Sequence, residues 1–376
     1  MKKIFIISLI LLFLVLIFLG IYNFSFKKKE VVVQKNTPTE AIEPMALPPV
    51  AEKIKAVSAG PIFGVYIDKK KEELKYYDAL TGIVWQMDME GQKKQQITMT
   101  NVNGIKSAQW SFDGSRVLTT IQRGAETLFY MYDYTLQRST LLKEGIDAVT
   151  WDNVGARIVY KYFDKTSKQR TLNIANADGS NWQKLSDVIL RKINIAPVPL
   201  TSLMSYWNMP NSTEETQLQI IGATGGEPKT ILSGKYGADY LWAPDGGKAL
   251  VSSLLNKDGN SITLGLVAIN GEYSALNIPT LVSKCVWSPD NKTIYYALPG
   301  GIPDNAKMPE DYQENRFNTS DTFWKMDITT GEKARIIESG DIKEKYDSSN
   351  MMLSPKGDAL YFINKIDQKL YRVDLQ

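Results

Sequence analysis

The stretch "VWSPDNKTIYYAL" at residues 286–298 has four near-copies in the same chain: "QWSFDGSRVLTTI" from 109, "TWDNVGARIVYKY" from 150, "LWAPDGGKALVSS" from 241 and "MLSPKGDALYFIN" from 352. A chain that repeats one phrase builds one small unit many times, and such units bury their apolar faces only against each other. The repeating part of the 376-residue chain therefore counts as one cooperative array, although the length alone would suit two or three domains.

The last residue before each turn serves as a marker: Trp110, Trp151, Trp242, Trp287 and Leu353. Two of the four intervals, 41 and 45 residues, set the period, whereas 91 separate Trp151 from Trp242 and 66 separate Trp287 from Leu353. Halving that gap places a worn marker at Ile195, beside "APVPL", and the start of the chain supplies another at Ile67. Seven units result. Within each, short runs rich in β-branched and aromatic residues alternate with turn residues, the pattern of antiparallel strands. Pro289 and Pro355 preset the turn and Asp290 suits it, while Gly114, Gly246 and Gly357 can take the left-handed backbone of a tight hairpin. A second punctuation recurs at Glu90-Gly91, Asp178-Gly179, Thr224-Gly225, Asn270-Gly271 and Thr330-Gly331, so each unit holds four strands.

Four-stranded units of this length with a Trp/Asp-Gly signature predict an all-β fold, a seven-bladed β-propeller, with the tryptophans as wedges between blades. The last unit ends after "KLYRVDL", one strand short, and "AEKIKAVSAG" at 51–60 has no unit of its own. That leading strand is expected to complete the last blade and close the ring, which removes an exposed sheet edge.

The motifs "WSPDN", "WAPDG", "WSFDG" and "LSPKG" resemble those of TolB-like propellers over about Glu52–Gln376, with departures at "WDNVG" and in the fourth unit. Related blades form the propeller half of prolyl-oligopeptidase-type proteases. The chain also resembles membrane-anchored bacterial single-propeller proteins. TolB grips a peptidoglycan-associated lipoprotein, but it carries a cleaved signal and an extra domain, so the resemblance implies a fold and no particular partner.

Ahead of the repeats, Ile4–Ile21 is almost purely apolar, roughly 27 Å as a helix and enough for a bilayer. No small-residue cleavage site follows, so residues 1–29 read as an uncleaved anchor with basic flanks, inserted through 4–26. Residues 30–51, with Pro38, Pro44, Pro48 and Pro49, read as a linker, and 52–376 as the propeller. Lysines on both sides of the apolar run balance the positive-inside rule, and the spacer favours a single-pass protein of the cytoplasmic membrane with its propeller outside, in the cell envelope.

Removing Lys2, Lys3, Lys27, Lys28 and Lys29 turns the formal charge of +3 into −2, which gives no footprint for nucleic acid. With no histidine, the chain can build no Ser-His-Asp triad and no His-ligated metal site. Cys285 lies in an apolar run and reads as core. The acids Glu310-Asp311 are adjacent, which says nothing of facing carboxylates, and "NKDGNS" at 256–261 reads as a turn in place of a calcium loop.

An extra stretch, residues 301–319, interrupts the sixth unit between its second and third strands, on the loop face that propellers commonly use for binding. Its Asp311, Tyr312, Arg316 and Phe317 suit a partner-contact surface. The sequence thus predicts a tethered scaffold, not an enzyme, that binds a protein partner or envelope polymer, with no catalytic residue, cofactor or metal ligand assigned. The alternative is a glycan-binding or carboxylate-dependent glycan-active propeller.

Overall fold

In each of the seven units the marker residue faces the residue seven positions later across a hairpin: Ile67 with Leu74, Trp110 with Val117, Trp151 with Ile158, Pro197 with Met204, Trp242 with Ala249, Trp287 with Ile294 and Leu353 with Leu360. This common register comes from a computed structural model that describes residues 15–17, 52–99 and 102–375. In the fourth unit the marker is Pro197 and not Ile195. The reason is local, since Val198 N–H donates to Leu203 O as Ser288 N–H does to Thr293 O, which fixes where that hairpin turns.

The strands form seven four-stranded antiparallel sheets, the blades of a propeller. Blades 1 to 6 run consecutively over residues 62–96, 105–141, 146–187, 193–236, 239–278 and 285–335. Blade 7 takes its outer strand from the front of the chain: Ile54–Ala56 pairs antiparallel with Leu370–Asp374, Ile54 opposite Val373 and Ala56 opposite Tyr371. The closure continues past the strand, because Ile62 N–H donates to Gln368 O and Tyr361 Oη donates to Met89 O across the first and last blades. Without Ile54–Ala56, the strand Leu370–Asp374 would offer a free edge for aggregation.

The hairpins explain the repeated wording. Ser288 Oγ bonds to Asp290 Oδ1 and accepts from Thr293 N–H at 2.9 Å, and Ser111 and Ser354 do the same work in blades 2 and 7. Gly114, Gly246 and Gly357 take φ of +65°, +69° and +72°, a backbone that strains other residues, and a Cβ would come within 2.4 Å of Tyr66 at Gly114 and 2.1 Å of Pro199 O at Gly246. Pro289 and Pro355 sit in these turns and donate no hydrogen bond.

The tryptophans do more than fill space. Trp110 Nε1 donates to Gly64 O, Trp151 Nε1 to Gln109 O and Trp287 Nε1 to Leu241 O, in each case an oxygen on the first strand of the preceding blade. Trp242 reaches the preceding blade through Ser205 Oγ, which itself donates to Ala196 O. Each ring is also a wedge in a core shared by two blades, as where Trp151 packs with Leu118 and Met131 of blade 2 and Ile158 of its own blade.

The expected anchor and linker, residues 1–29 and 30–51, lie outside the described residues apart from 15–17, which are helical. Among the described residues no helix is long and apolar enough to cross a membrane.

Trp151→Ala is expected to cost about 3–5 kcal/mol of stability, and Trp151→Phe, which keeps a ring but loses the bond to Gln109 O, about 1–2 kcal/mol. Urea unfolding of the three proteins checks both; parental stability in Trp151→Phe would show that the hydrogen bond adds nothing to the wedge, and equal losses for the two variants that the ring adds nothing to the bond.

Candidate functional site

In a propeller blade, the loops between second and third strands and the loops that lead into the next blade emerge at one end of the ring. Residues 301–319 leave blade 6 there, between its strands Thr293–Gly300 and Ser320–Asp327. The insertion does not stand out in solvent. Glu310 Oε1 accepts from Ser212 N–H and Oγ of blade 4 at 2.7 and 2.8 Å, Asn260 Nδ2 of blade 5 donates to Asp304 O, and Met308 packs with Leu254 and Ile262. It therefore lies against blades 4 to 7.

This placement revises the expected contact surface. Tyr312, on the short helix Glu310–Gln313, is turned inward and only 4% exposed. Phe317 packs against it at 5.8 Å between ring centroids. Asp311 binds Lys307 N–H and pairs with Arg316 at 2.8 Å, and only Arg316 of the four is largely in solvent. Two of the four residues therefore serve packing, a use that a list of residue types cannot reveal.

What Tyr312 turns toward is a buried ionic cluster. Lys284, at the entry to the first strand of blade 6, is fully buried, and its ammonium donates to Asp321 at 2.7 Å, Asp347 at 2.8 Å, Thr319 Oγ1 at 3.0 Å and Ser348 O at 2.9 Å. Asp321 also accepts from Ser348 N–H and Oγ, and Tyr312 Oη donates to Asp347 at 2.5 Å. Burial by itself would raise the Asp347 carboxyl, but the Lys284 ammonium and the hydrogen bonds from Lys284, Tyr312 and Thr319 outweigh it and hold the group below the usual carboxylate range. Burial, then the Asp347 charge, push the Tyr312 phenol above its ordinary value. The cluster ties blade 6, blade 7 and the insertion together.

Beside the cluster opens a cavity of about 310 Å³, lined by Asp239, Ser252, Tyr312, Gln313, Ser349 and Lys365 among others. Asp239 begins the first strand of blade 5, and Lys365 follows the second strand of blade 7. Asp239 accepts from Trp207 Nε1 at 2.9 Å, yet burial raises its carboxyl above the ordinary range in spite of that bond. Lys365 Nζ donates to Tyr312 O at 2.9 Å and sits 3.5 Å from the centre of the Tyr312 ring. Burial lowers its ammonium, although nearby Asp347 opposes the shift. Ser252 is fully buried and its Oγ has no hydrogen-bond partner. One end of the ring thus offers a carboxylate made more basic, an ammonium made more acidic and a hydroxyl ready to bond.

None of Asp239, Ser252, Lys284, Asp347 and Lys365 was singled out from sequence. A lysine inside the apolar run "LVSKCVW" was the one available signal, because a charge there must find a buried partner. Cys285 is buried and free, as expected, and burial pushes its thiol well up.

No family model matches the chain. Among curated proteins, the uncharacterized peptidase YuxL of Bacillus subtilis is 28% identical over 156 residues, 37% of this chain and 23% of that protein; the chain thus matches less than a quarter of that relative's length. Among solved structures, oligogalacturonate lyase in complex with manganese has a TM-score of 0.62 at 12% identity over 86% of this chain and 93% of its own. The oligogalacturonate lyase of Vibrio parahaemolyticus has 0.61 at 10% identity over 85% and 93%. TolB of Acinetobacter baumannii is also a neighbour, at a TM-score of 0.46 and 12% identity over 73% and 62%.

These findings correct the expectation of a non-catalytic scaffold and of a protein that is not an enzyme. At such identities the structural likeness is one of fold, but that fold is seen in proteins named as lyases, and the matched relative is named as a peptidase. The lack of histidine removes particular chemistries and does not remove catalysis. As for the manganese of the neighbour, this chain has no histidine and, among the described residues, no group of three or more His, Cys, Asp or Glu placed to hold a metal ion, so its residues do not fit such a site.

Lys284→Met leaves two buried carboxylates without a counter-ion and is expected to cost about 3–5 kcal/mol. Asp347, with its carboxyl lowered by folding, stabilises fully above the unfolded value of about 4 and loses that contribution as pH falls through its folded value. Denaturation between pH 7 and pH 3 should show this acid loss in the parent and a shallower loss in Lys284→Met; parallel curves would refute the assignment.

Proposed function

We propose that this chain is a glycan-active enzyme whose reaction centre is the cavity between Asp239 and Lys365, and that its substrates are oligosaccharides that carry acidic sugars. The observation that carries the reading is that one cavity holds a carboxyl shifted up and an ammonium shifted down, each toward neutral pH, where acid–base catalysis works best. The solved lyases that share the fold support the choice of substrate class. Hydrolysis by paired carboxylates is not the reaction favoured, because Asp239 is the one acid among the residues that line the cavity. Peptide hydrolysis through a histidine triad has no residues to use.

A carboxylate beside an ammonium suits elimination. The Asp239 carboxylate takes the proton from the sugar carbon next to the carboxyl group. Charge that develops on that carboxyl group is met by the Lys365 ammonium and the Ser252 hydroxyl, as fixed donors meet an oxyanion. The electron pair of the C–H bond forms a C=C bond, the C–O bond to the departing sugar breaks, the departing oxygen takes a proton from water, and the hydroxide so formed takes back the proton held by Asp239. Tyr312 backs Lys365 through its ring and its carbonyl, and the Lys284 cluster holds Tyr312 in place.

The reading extends to location: residues 1–29 anchor the chain, 30–51 space it, and the propeller of 52–376 acts outside the cytoplasmic membrane on an envelope polymer. The apolar run Ile4–Ile21 and the proline-bearing stretch after it support this.

The full-length chain, given acidic and neutral oligosaccharides, should cleave acidic ones and yield an unsaturated uronate, read by its ultraviolet absorbance. Asp239→Asn should lower the rate at least 100-fold. The pH profile should rise as Asp239 loses its proton, above the ordinary carboxylate range, and fall as Lys365 loses its own, below the ordinary lysine range. Absence of cleavage, or a parental rate in Asp239→Asn, overturns the reading. Removal of residues 1–29 should move the protein from the membrane fraction to the soluble one.

A further inference from the structure

A second cavity, of about 230 Å³, shares no lining residue with the first and lies along blade 3. Its floor is one face of the sheet, where Tyr160 stands opposite Asn173 and Asn173 opposite Lys184. Trp182 forms a wall and is 57% exposed, a large aromatic surface left open at the mouth of a cavity. Lys143 reaches in from the connection between blades 2 and 3, with its ammonium 4.2 Å from the centre of the Tyr162 ring and 5.5 Å from that of Trp182. Neighbouring Lys184 is already paired with Asp187, and Asp164 accepts from Thr166 N–H and Ser167 N–H in its own turn. Lys143 forms no salt bridge among the described residues.

The deciding atom is Asn173 Oδ1. Asn173 is only 2% exposed, its Nδ2 is used by Thr171, and its Oδ1 has no donor. A buried acceptor without a partner costs stability, so a site that keeps one gains when a ligand brings a hydroxyl to it. An open indole face, a cation without an ion pair and an unmet buried acceptor together describe the three surfaces of an acidic sugar: the apolar ring face, the carboxylate and a hydroxyl. The volume is small for a cofactor and admits a single sugar unit.

We infer that the Trp182 cavity is a second, non-catalytic binding site for one acidic sugar residue, with the ring stacked on Trp182, the carboxylate on Lys143 and a hydroxyl donated to Asn173 Oδ1. The choice of ligand rests on the glycan reading above, and the site itself does not need the first cavity to be catalytic. Its place at blade 3, away from the cavity of blades 5 to 7, suits the capture of a chain that is cut elsewhere on the ring.

The test uses the full-length Asp239→Asn protein, so that the probe stays intact, and calorimetric titration with trigalacturonate and with maltotriose. Two trigalacturonate sites are expected in Asp239→Asn and one in Asp239→Asn/Trp182→Ala, with Lys143→Met weakening the second site at least tenfold. Trp182→Ala alone should leave the cleavage rate at saturating substrate unchanged. Equal stoichiometry with and without Trp182, or maltotriose bound as well as trigalacturonate, overturns the inference. If the parent cleaves nothing and Trp182 still governs one binding site, the catalytic reading falls and this site stands; if Asp239 governs cleavage and Trp182 governs no binding, the reverse holds.

Discussion

The ring depends on the packing of each blade against the one before it, which an indole hydrogen bond reinforces in blades 2, 3, 5 and 6. A four-stranded sheet has two faces to bury and no second layer of its own, so every blade relies on its neighbours for a core. Large apolar wedges supply the area, and the indole N–H of Trp110, Trp151 and Trp287 adds direction, because it finds its oxygen only when the first strand of the preceding blade is in register. Such contacts could be extended indefinitely. The pairing of Ile54–Ala56 with Leu370–Asp374 ends the series and makes it a circle.

A closed circle fixes which residues meet at its ends. Asp239, Lys284 and Ser349 all lie at the entry to a first strand, in blades 5, 6 and 7, so the fold brings them to one end of the axis although more than a hundred positions separate the outermost two. Insertion 301–319 then closes over that end. Its attachment is polar where it meets blade 4, through Glu310, and ionic where it meets blades 6 and 7, through Tyr312 and the Lys284 cluster. Replacing such a cluster by apolar side chains would often be neutral for stability. Here it sets the position of Tyr312, and through Tyr312 that of Lys365, at the cavity whose two titrating groups are shifted toward each other.

Local chemistry is what made the fold legible. Ser288, Pro289 and Asp290 form their turn with one another, Gly114 and Gly357 take a backbone that other residues avoid, and the period between Trp markers counts strands directly. These are properties of neighbours in sequence, so blade number, the closing strand and the place of the insertion follow from letters alone. Where local chemistry was worn, the assignment slipped: "APVPL" lacks the serine that begins the turns of blades 2, 6 and 7, and the marker moved from Ile195 to Pro197.

The site obeys a different logic. Tyr312 was noticed for its type and expected on an open surface, whereas its role comes from Asp347, thirty-five positions away and on another blade. Asp239 and Lys365 carry no local motif, since the burial that shifts them is produced by segments distant in sequence. Sequence by itself determined the repeated blade, the ring and the chemistries that a chain without histidine must do without, because turns and strand periods are short-range. Only the tertiary structure decided which acids, amines and aromatic rings share a cavity, because desolvation and facing geometry exist only once the blades have closed around them.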